Sequence, residues 1–258
     1  MLLHRRMMGN TTNGGGSSND GIDYAKQYFT IEAVSDDVTI TFLPNYLKIH
    51  TVAYSYDNGN TWTTRNNVKM EFSISLTSGE KVLWSMFPNV ENENFNSSIF
   101  SFRLEGKVNV YGNIMSLYYM NDYYGKELTI NHQFAYLFTT WSAGSVVDAS
   151  NLILPNNTTS YCYNSMFANN KNLIAAPKLV ADYLYGSCYY YMFENCYALN
   201  YVEIYATQIE ESWWGDTSYD IFNGWLDNTA SSGVVKRKRE FTAVDPHIPA
   251  GWTIEYLN

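Results

Sequence analysis

Three cysteines in 258 residues leave one thiol over from any pairing, and Cys162, Cys188 and Cys196 lack the CxxC spacing of a metal half-site. They supply neither a disulfide framework nor a structural zinc centre. The four histidines, His4, His50, His132 and His247, are scattered, with no HExxH or paired spacing, so no metal and no cofactor is expected. Cationic side chains are also scarce: Lys plus Arg number 16 against 25 Asp plus Glu, a formal charge of −9. A nucleic-acid binder draws its affinity mainly from Lys and Arg on phosphates, which argues against nucleic acid as a partner. The run KRKR at residues 236–239 is the exception, but it is followed by Glu240 and lies between strand-like segments. It reads as a solvated charged turn. No apolar run approaches the roughly 20 residues that cross a bilayer, so no membrane insertion is expected. There is no GxSxG elbow, Walker loop or dinucleotide fingerprint, and spacing singles out no pair of carboxylates. No catalytic residue is assigned.

What the chain does have is tyrosine. Its 23 Tyr outnumber Lys plus Arg, and aromatics reach 17%, which suits β-rich architecture and amphipathic surface contacts. The amino terminus, MLLHRRMMGNTTNGGGSSND, carries two early arginines but then Gly, Asn, Ser and Thr, where a secretory signal needs a continuous apolar segment. Sec export is therefore not expected. Residues 9–20 read as a flexible tether. The peptide before it, Leu2, Leu3, Met7 and Met8 with Arg5 and Arg6, is either a disordered tail or an anchor that orders on a partner. In the anchor reading, residues 1–25 form a flexible arm.

From Tyr28 onward short strand-like segments follow one another, YFTIEAV, VTITFL, KIHTVAYSY, VKMEFSISL, EKVLWSM, SIFSFRLE and KVNVYGNIMSLYY, separated by SDD, DNGN, TSGE and ENENFN. Seven such segments without helical periodicity predict an Ig-like β-sandwich over residues 26–130. Within it, SYDNGNTW at residues 55–62 resembles the Asp-box of sialidases, where the motif is a structural turn repeated around a propeller. Here one copy is found. Asp57 can fold back on turn amides, Gly59 tolerates positive φ and Trp62 can cover the turn, so these three are read as a structural hairpin.

The second half repeats itself. YCYNSMFANNKNLIAAPKL at residues 161–179 aligns with SCYYYMFENCYALNYVEIY at 187–205 with a period of 26 residues. The alignment matches Cys162 with Cys188, Met166 and Phe167 with Met192 and Phe193, and Leu173 with Leu199, and these eight are the expected repeat core. A degenerate earlier copy gives Phe138 the place of Phe167 and aligns VVDASNL with LIAAPKL, so that Leu152, Leu179 and Tyr205 should be equivalent. Repeats of this length with Leu at fixed offsets predict a short leucine-rich-repeat solenoid, strand plus short helix per repeat, over 131–212, with a C-terminal cap over 213–258. The fold class expected is mainly β.

These residues resemble the BspA-like leucine-rich repeat, whose motif runs Cys-Tyr-x-x-Met-Phe-x-x-Cys-x-x-Leu and which abounds in gut Bacteroidales and their phages; HIPAGWTIEYLN at 247–258 is similar to the ending of many such chains. Asn170 departs from the motif where Cys196 keeps it. The resemblance, together with the missing export signal, implies a non-enzymatic phage virion component, a head- or tail-fibre or decoration protein. Its partners would be other virion proteins or copies of itself, and a bacterial surface glycan or protein. A bacterial BspA-like surface adhesin is the alternative and an Asp-box carbohydrate-active enzyme the third reading.

Overall fold

The structure, a computed structural model, describes residues 21–44, 50–88, 99–139, 145–210, 221–242 and 247–258. The proposed anchor residues Leu2, Leu3, Arg5, Arg6, Met7 and Met8 lie outside them. The molecule is mainly β, with several sheets.

The first half contributes β1 (Phe29–Ala33), β2 (Val38–Pro44), β3 (His50–Ser55), β4 (Thr63–Val68), β5 (Phe72–Leu76), β6 (Lys81–Pro88), β7 (Phe100–Glu105) and β8 (Lys107–Asn113). Side chains alternate across a strand, and the alternation is visible in β7 and β8, where every second residue from Phe100 and from Val108 is buried. β8, β1, β6, β3 and β4 pair in that order, and β5, β2 and β7 form a second, three-stranded antiparallel sheet. Aromatic rings fill the space between the two. Trp84 of β6 meets Phe102 of β7 edge-on at 4.9 Å between centroids, and Phe42 of β2 packs within 6.3 Å of Phe72, Trp84, Phe100 and Phe102. Rings of this size, each buried at about 1.5–3 kcal/mol, hold the sheets together. At one edge β4 shows TTRNN to solvent, a polar strand that discourages pairing with another chain.

The second half begins with α1 (Ser116–Tyr119) and continues into β9 (Ser145–Asp148), β10 (Leu152–Ile153), β11 (Tyr183–Leu184), β12 (Tyr201–Ile204), β13 (Gln208–Ile209), β14 (Gly233–Arg237) and β15 (Trp252–Tyr256). Every named pairing among these strands is parallel: β11 with β13, β12 with β14, β14 with β15. Parallel pairing of short strands, two of the three pairs skipping a strand, means that the chain winds in stacked coils. A short helix was expected in each coil, and none is found in residues 161–170 or 187–196. The backbone instead runs in tandem turns of four residues. Tyr161, Ser165 and Asn169 in one coil, and Ser187, Tyr191 and Asn195 in the next, have φ between 51° and 67°. A right-handed helix cannot contain such residues.

The hydrogen bonds explain the choice. N–H groups of Cys162, Asn164, Met166, Ala168 and Asn170 donate three residues back within the coil, whereas those of Tyr161, Tyr163, Ser165, Phe167 and Asn169 donate to carbonyls of the next coil, from Gly186 to Glu194. Each four-residue cycle then points two consecutive side chains inward. In 187–196 the inward pairs are Cys188–Tyr189 and Met192–Phe193, followed by Cys196, with the residues between them half-buried.

Two ladders of rings run through the stack. One is Phe134, Tyr163, Tyr189 and Phe222; the other is Phe138, Phe167, Phe193 and Trp225, with successive centroids 5.4–6.4 Å apart. The second ladder reaches Phe102 and Phe29 of the first half, so one continuous hydrophobic core spans both halves. Residues 221–228, within the segment read as a cap, take the next place in both ladders, and Phe193 N–H donates to Trp225 there. β8 carries the junction, pairing antiparallel with β1 and parallel with β9 and β10. Gly112 in β8 has φ +83°, and a Cβ there would lie 2.2 Å from the Tyr28 carbonyl oxygen, so glycine is required where the chain passes from sheet to coil.

Asn170 accounts for its departure from the motif. Fully buried, it accepts from Val146 N–H at 2.7 Å and donates to the carbonyls of Phe138 at 2.9 Å and Phe167 at 2.8 Å. Cys196, in the same place one coil on, donates to Phe167 O at 3.2 Å. The Asn is needed where the first coil meets the second. By contrast the buried Tyr163 hydroxyl has no partner among the described residues, because its ladder neighbours are rings. Two substitutions should therefore separate. Asn170→Asp, nearly isosteric, should cost about 3 kcal/mol or more in denaturant unfolding, since it removes both donors and buries a charge. Tyr163→Phe should be neutral or stabilise by about 1 kcal/mol, since it deletes an unpaired buried hydroxyl.

Candidate functional site

The Asp-box-like hairpin joins β3 to β4, and its geometry is that of a pinned turn. Asp57 accepts Thr61 N–H at 2.8 Å and the Thr61 hydroxyl at 2.7 Å, and the Ser55 hydroxyl donates to it at 2.8 Å. Ser55 Oγ in turn accepts Gly59 N–H at 2.9 Å. Asn58 and Gly59 take φ of 58° and 85°, and the Trp62 indole N–H donates to Gly59 O at 3.0 Å while its ring covers the glycine. The Thr61 backbone N–H, followed by the Thr61 and Ser55 hydroxyls, holds the Asp57 carboxyl down at about 2. The carboxylate is thus occupied by the turn, with no second carboxylate among its partners.

Rings carry the hairpin's position inward. Trp62 meets Tyr28 at 4.9 Å and Tyr28 meets Tyr123 at 4.9 Å, while the Tyr123 hydroxyl donates to Lys26 O at 2.7 Å. Tyr123 fixes a loop whose next residue, Tyr124, is 55% exposed at the rim of a cleft of about 330 Å³. One wall is this loop, Tyr124 to Glu127; the other is the outer face of the first coils, with Ser150, Asn151, Ile153, Asn156, Lys178 and Val180. Asn157 clamps the walls together, accepting Leu128 N–H at 2.8 Å and donating to Leu128 O at 2.9 Å. The Lys126 ammonium pairs with Asp122 at 2.9 Å and that of Lys178 with Glu203 at 3.6 Å.

The cleft opens onto a row of outward side chains that crosses the coils. Leu179 bridges Ile204, so Lys178 stands beside Glu203; strand register then sets Glu203 opposite Lys236 and Lys236 opposite Glu255. Charges alternate along this row. Burial raises the Glu203 carboxyl, but hydrogen bonds from the hydroxyls of Tyr201 at 2.7 Å and Tyr205 at 2.8 Å, with Lys178 nearby, outweigh it and leave the group lowered and ionised. Tyr205 therefore lies on the outer face, and Ile204 takes the inward place opposite Leu179. The equivalence of Leu152, Leu179 and Tyr205 slips by one residue at the last of them.

The eight repeat-core residues, Cys162, Met166, Phe167, Leu173, Cys188, Met192, Phe193 and Leu199, come together in the interior, all with no exposed surface. They are distant in role from the cleft. Burial pushes the Cys162 thiol up to about 12 and those of Cys188 and Cys196 well above their ordinary value, so none is a thiolate near neutrality. Among the described residues no group of three His, Cys, Asp or Glu could hold a metal, and no helix is long and apolar enough to cross a membrane. Nothing in the sequence marks the cleft, because its residues come from segments widely separated along the chain.

Two measurements follow. Asp57 titrates near 2 when folded and near 3.9 unfolded, so its contribution is complete above about pH 4 and disappears as pH falls towards about 2. Wild type should melt higher than Asp57→Asn near neutrality, and the gap should close as the pH reaches about 2. A gap independent of pH would refute the pinned-turn account. The three thiols should resist a maleimide reagent in native buffer and react together in denaturant, and rapid native labelling would show them to be accessible. Comparison with protein-family models, with curated proteins and with solved structures finds no match to this chain.

Proposed function

We propose that this chain is a non-enzymatic virion structural protein, a head- or tail-fibre or decoration component of a phage, whose packed sheets are an Ig-like sandwich and whose coils are a short BspA-like leucine-rich solenoid presented to a bacterial surface. The observation that carries the reading is that the residues bearing the resemblance are the ones that stack. Cys162, Met166 and Phe167 fill one coil, and Cys188, Met192 and Phe193 fill the next. What weighs against the carbohydrate-active enzyme is the hairpin, where Asp57 is held by three groups of its own turn. In this reading residues 1–25 include the attachment to other virion proteins or to further copies of the chain, through Leu2, Leu3, Arg5, Arg6, Met7 and Met8. Residues 24–26 also serve the fold, since Tyr24 is buried against Tyr111.

The test is mass spectrometry of gradient-purified phage particles, with wild type and a chain lacking residues 2–20. The full chain should be present at stoichiometric occupancy and the shortened chain, still folded by circular dichroism, should be absent. Recovery of the full chain only from a bacterial envelope fraction would overturn the virion assignment in favour of the adhesin, and full occupancy of the shortened chain would overturn the anchor.

A further inference from the structure

The geometry points to the cleft between the Tyr124–Glu127 loop and the first coils as a binding site for a neutral saccharide, either a free sugar or the terminal unit of a surface glycan. Its volume, about 330 Å³, lies at the small end of ligand sites, which run from about 300 to 1,000 Å³. A sugar ring has an apolar face of C–H groups and a rim of hydroxyls that both donate and accept. The cleft offers the matching pair of surfaces. Tyr124 presents an aromatic ring, 55% exposed, with half-buried Ile153 and Val180 on the opposite wall. Asn151 and Asn156 contribute amides, which both donate and accept, and Ser150 adds a hydroxyl.

Charge decides between a neutral and an anionic ligand. The cleft is lined by two ammonium groups, which alone would select a phosphate or a sialic acid. Each is already paired, Lys126 with Asp122 and Lys178 with Glu203, and the Glu127 carboxylate adds a negative charge to the lining. No net positive well remains, so a ligand bearing hydroxyls and no charge is favoured. The walls are also set before any ligand arrives: Asn157 clamps one to the other, and Tyr123 is fixed by Lys26 O and the Tyr28 ring, which reduces the ordering cost of binding.

This inference deepens the surface-contact reading, and two readouts separate their failures. Saturation-transfer NMR on the full chain would use a panel of neutral mono- and disaccharides, sialyllactose as the anionic sugar, and a competition with inorganic phosphate. At least one neutral sugar should show transfer that phosphate does not displace, weakened roughly two- to tenfold in Tyr124→Ala, whose thermal melting should match wild type. No transfer from any neutral sugar, binding of sialyllactose alone, or equal binding by Tyr124→Ala overturns the cleft assignment. Adhesion of wild-type and Tyr124→Ala chains to host cells is scored separately. Sugar binding with equal adhesion of both chains leaves surface contact standing without the cleft and assigns the cleft to a free sugar, whereas sugar binding without any adhesion removes surface contact and leaves the cleft.

Discussion

Alternate backbone N–H groups leave their own coil, and nearly everything in the second half depends on that. A left-handed residue other than glycine costs about 1–2 kcal/mol, and a net backbone hydrogen bond returns about 0.5–1.5 kcal/mol. Tyr161, Ser165 and Asn169 each take the one and gain the other, which comes close to break-even. The surplus must come from burial. The conformation that sends one N–H outward also aims two neighbouring side chains into the stack, at about 1.5–3 kcal/mol for each large apolar group. A coil is therefore not stable by itself; it needs the next coil both as hydrogen-bond acceptor and as apolar cover. At the outer corner Asn195 donates to Asn169 and Asn228 donates to Asn195, at 2.9 and 2.8 Å, so the left-handed corners are tied to one another by side-chain amides.

The same requirement explains why the two halves are not separate bodies. The first coil needs cover on its other side, and the sheets provide it. Phe102 N–H donates to Leu137 O, Phe138 stacks on Phe102, and the Tyr118 hydroxyl donates to Gln133 O. Asn170 then closes the step from first coil to second with two hydrogen bonds, from Val146 N–H and to Phe138 O, and adds a third to Phe167 O of its own coil. The cleft is a by-product of this docking. It lies where a loop anchored on the sheets overhangs the outer face of coils anchored on the same sheets.

Much of the interior was legible in the sequence. The alignment that gave Phe138 the place of Phe167, and set VVDASNL against LIAAPKL, corresponds to a 5.4 Å ring stack and to the Asp148–Ala175 bridge. The helix expected in each coil was a misreading with a physical cause. Two adjacent inward residues every four positions give nearly the spacing of an amphipathic helix, with its period of 3.6, and the sign of φ at Tyr161 or Tyr191 leaves no trace in residue type. Only the Asn at 169, 195 and 228 hints at left-handed corners. Tyr205 misled for a related reason: the offset between coils shortens by one residue in the strand, and a large apolar ring looked inward when it was turned outward to Glu203. The cleft was illegible because no local pattern records which surfaces a docked loop will overhang.

One property of the stack reaches beyond its own stability. Each coil meets the next through the same row of donors, even though the stretch of chain between bonded partners differs, from Phe138 to Met166, Phe167 to Met192 and Phe193 to Trp225. Length differences are absorbed between the bonded rows, and the rows themselves stay in step. A duplicated coil could thus be inserted without redesigning its neighbours, and it would move whatever follows by one strand spacing, about 4.8 Å. Reach along the stack is then a discrete quantity, adjustable by whole copies of the chain segment, while the sheets at its base remain untouched.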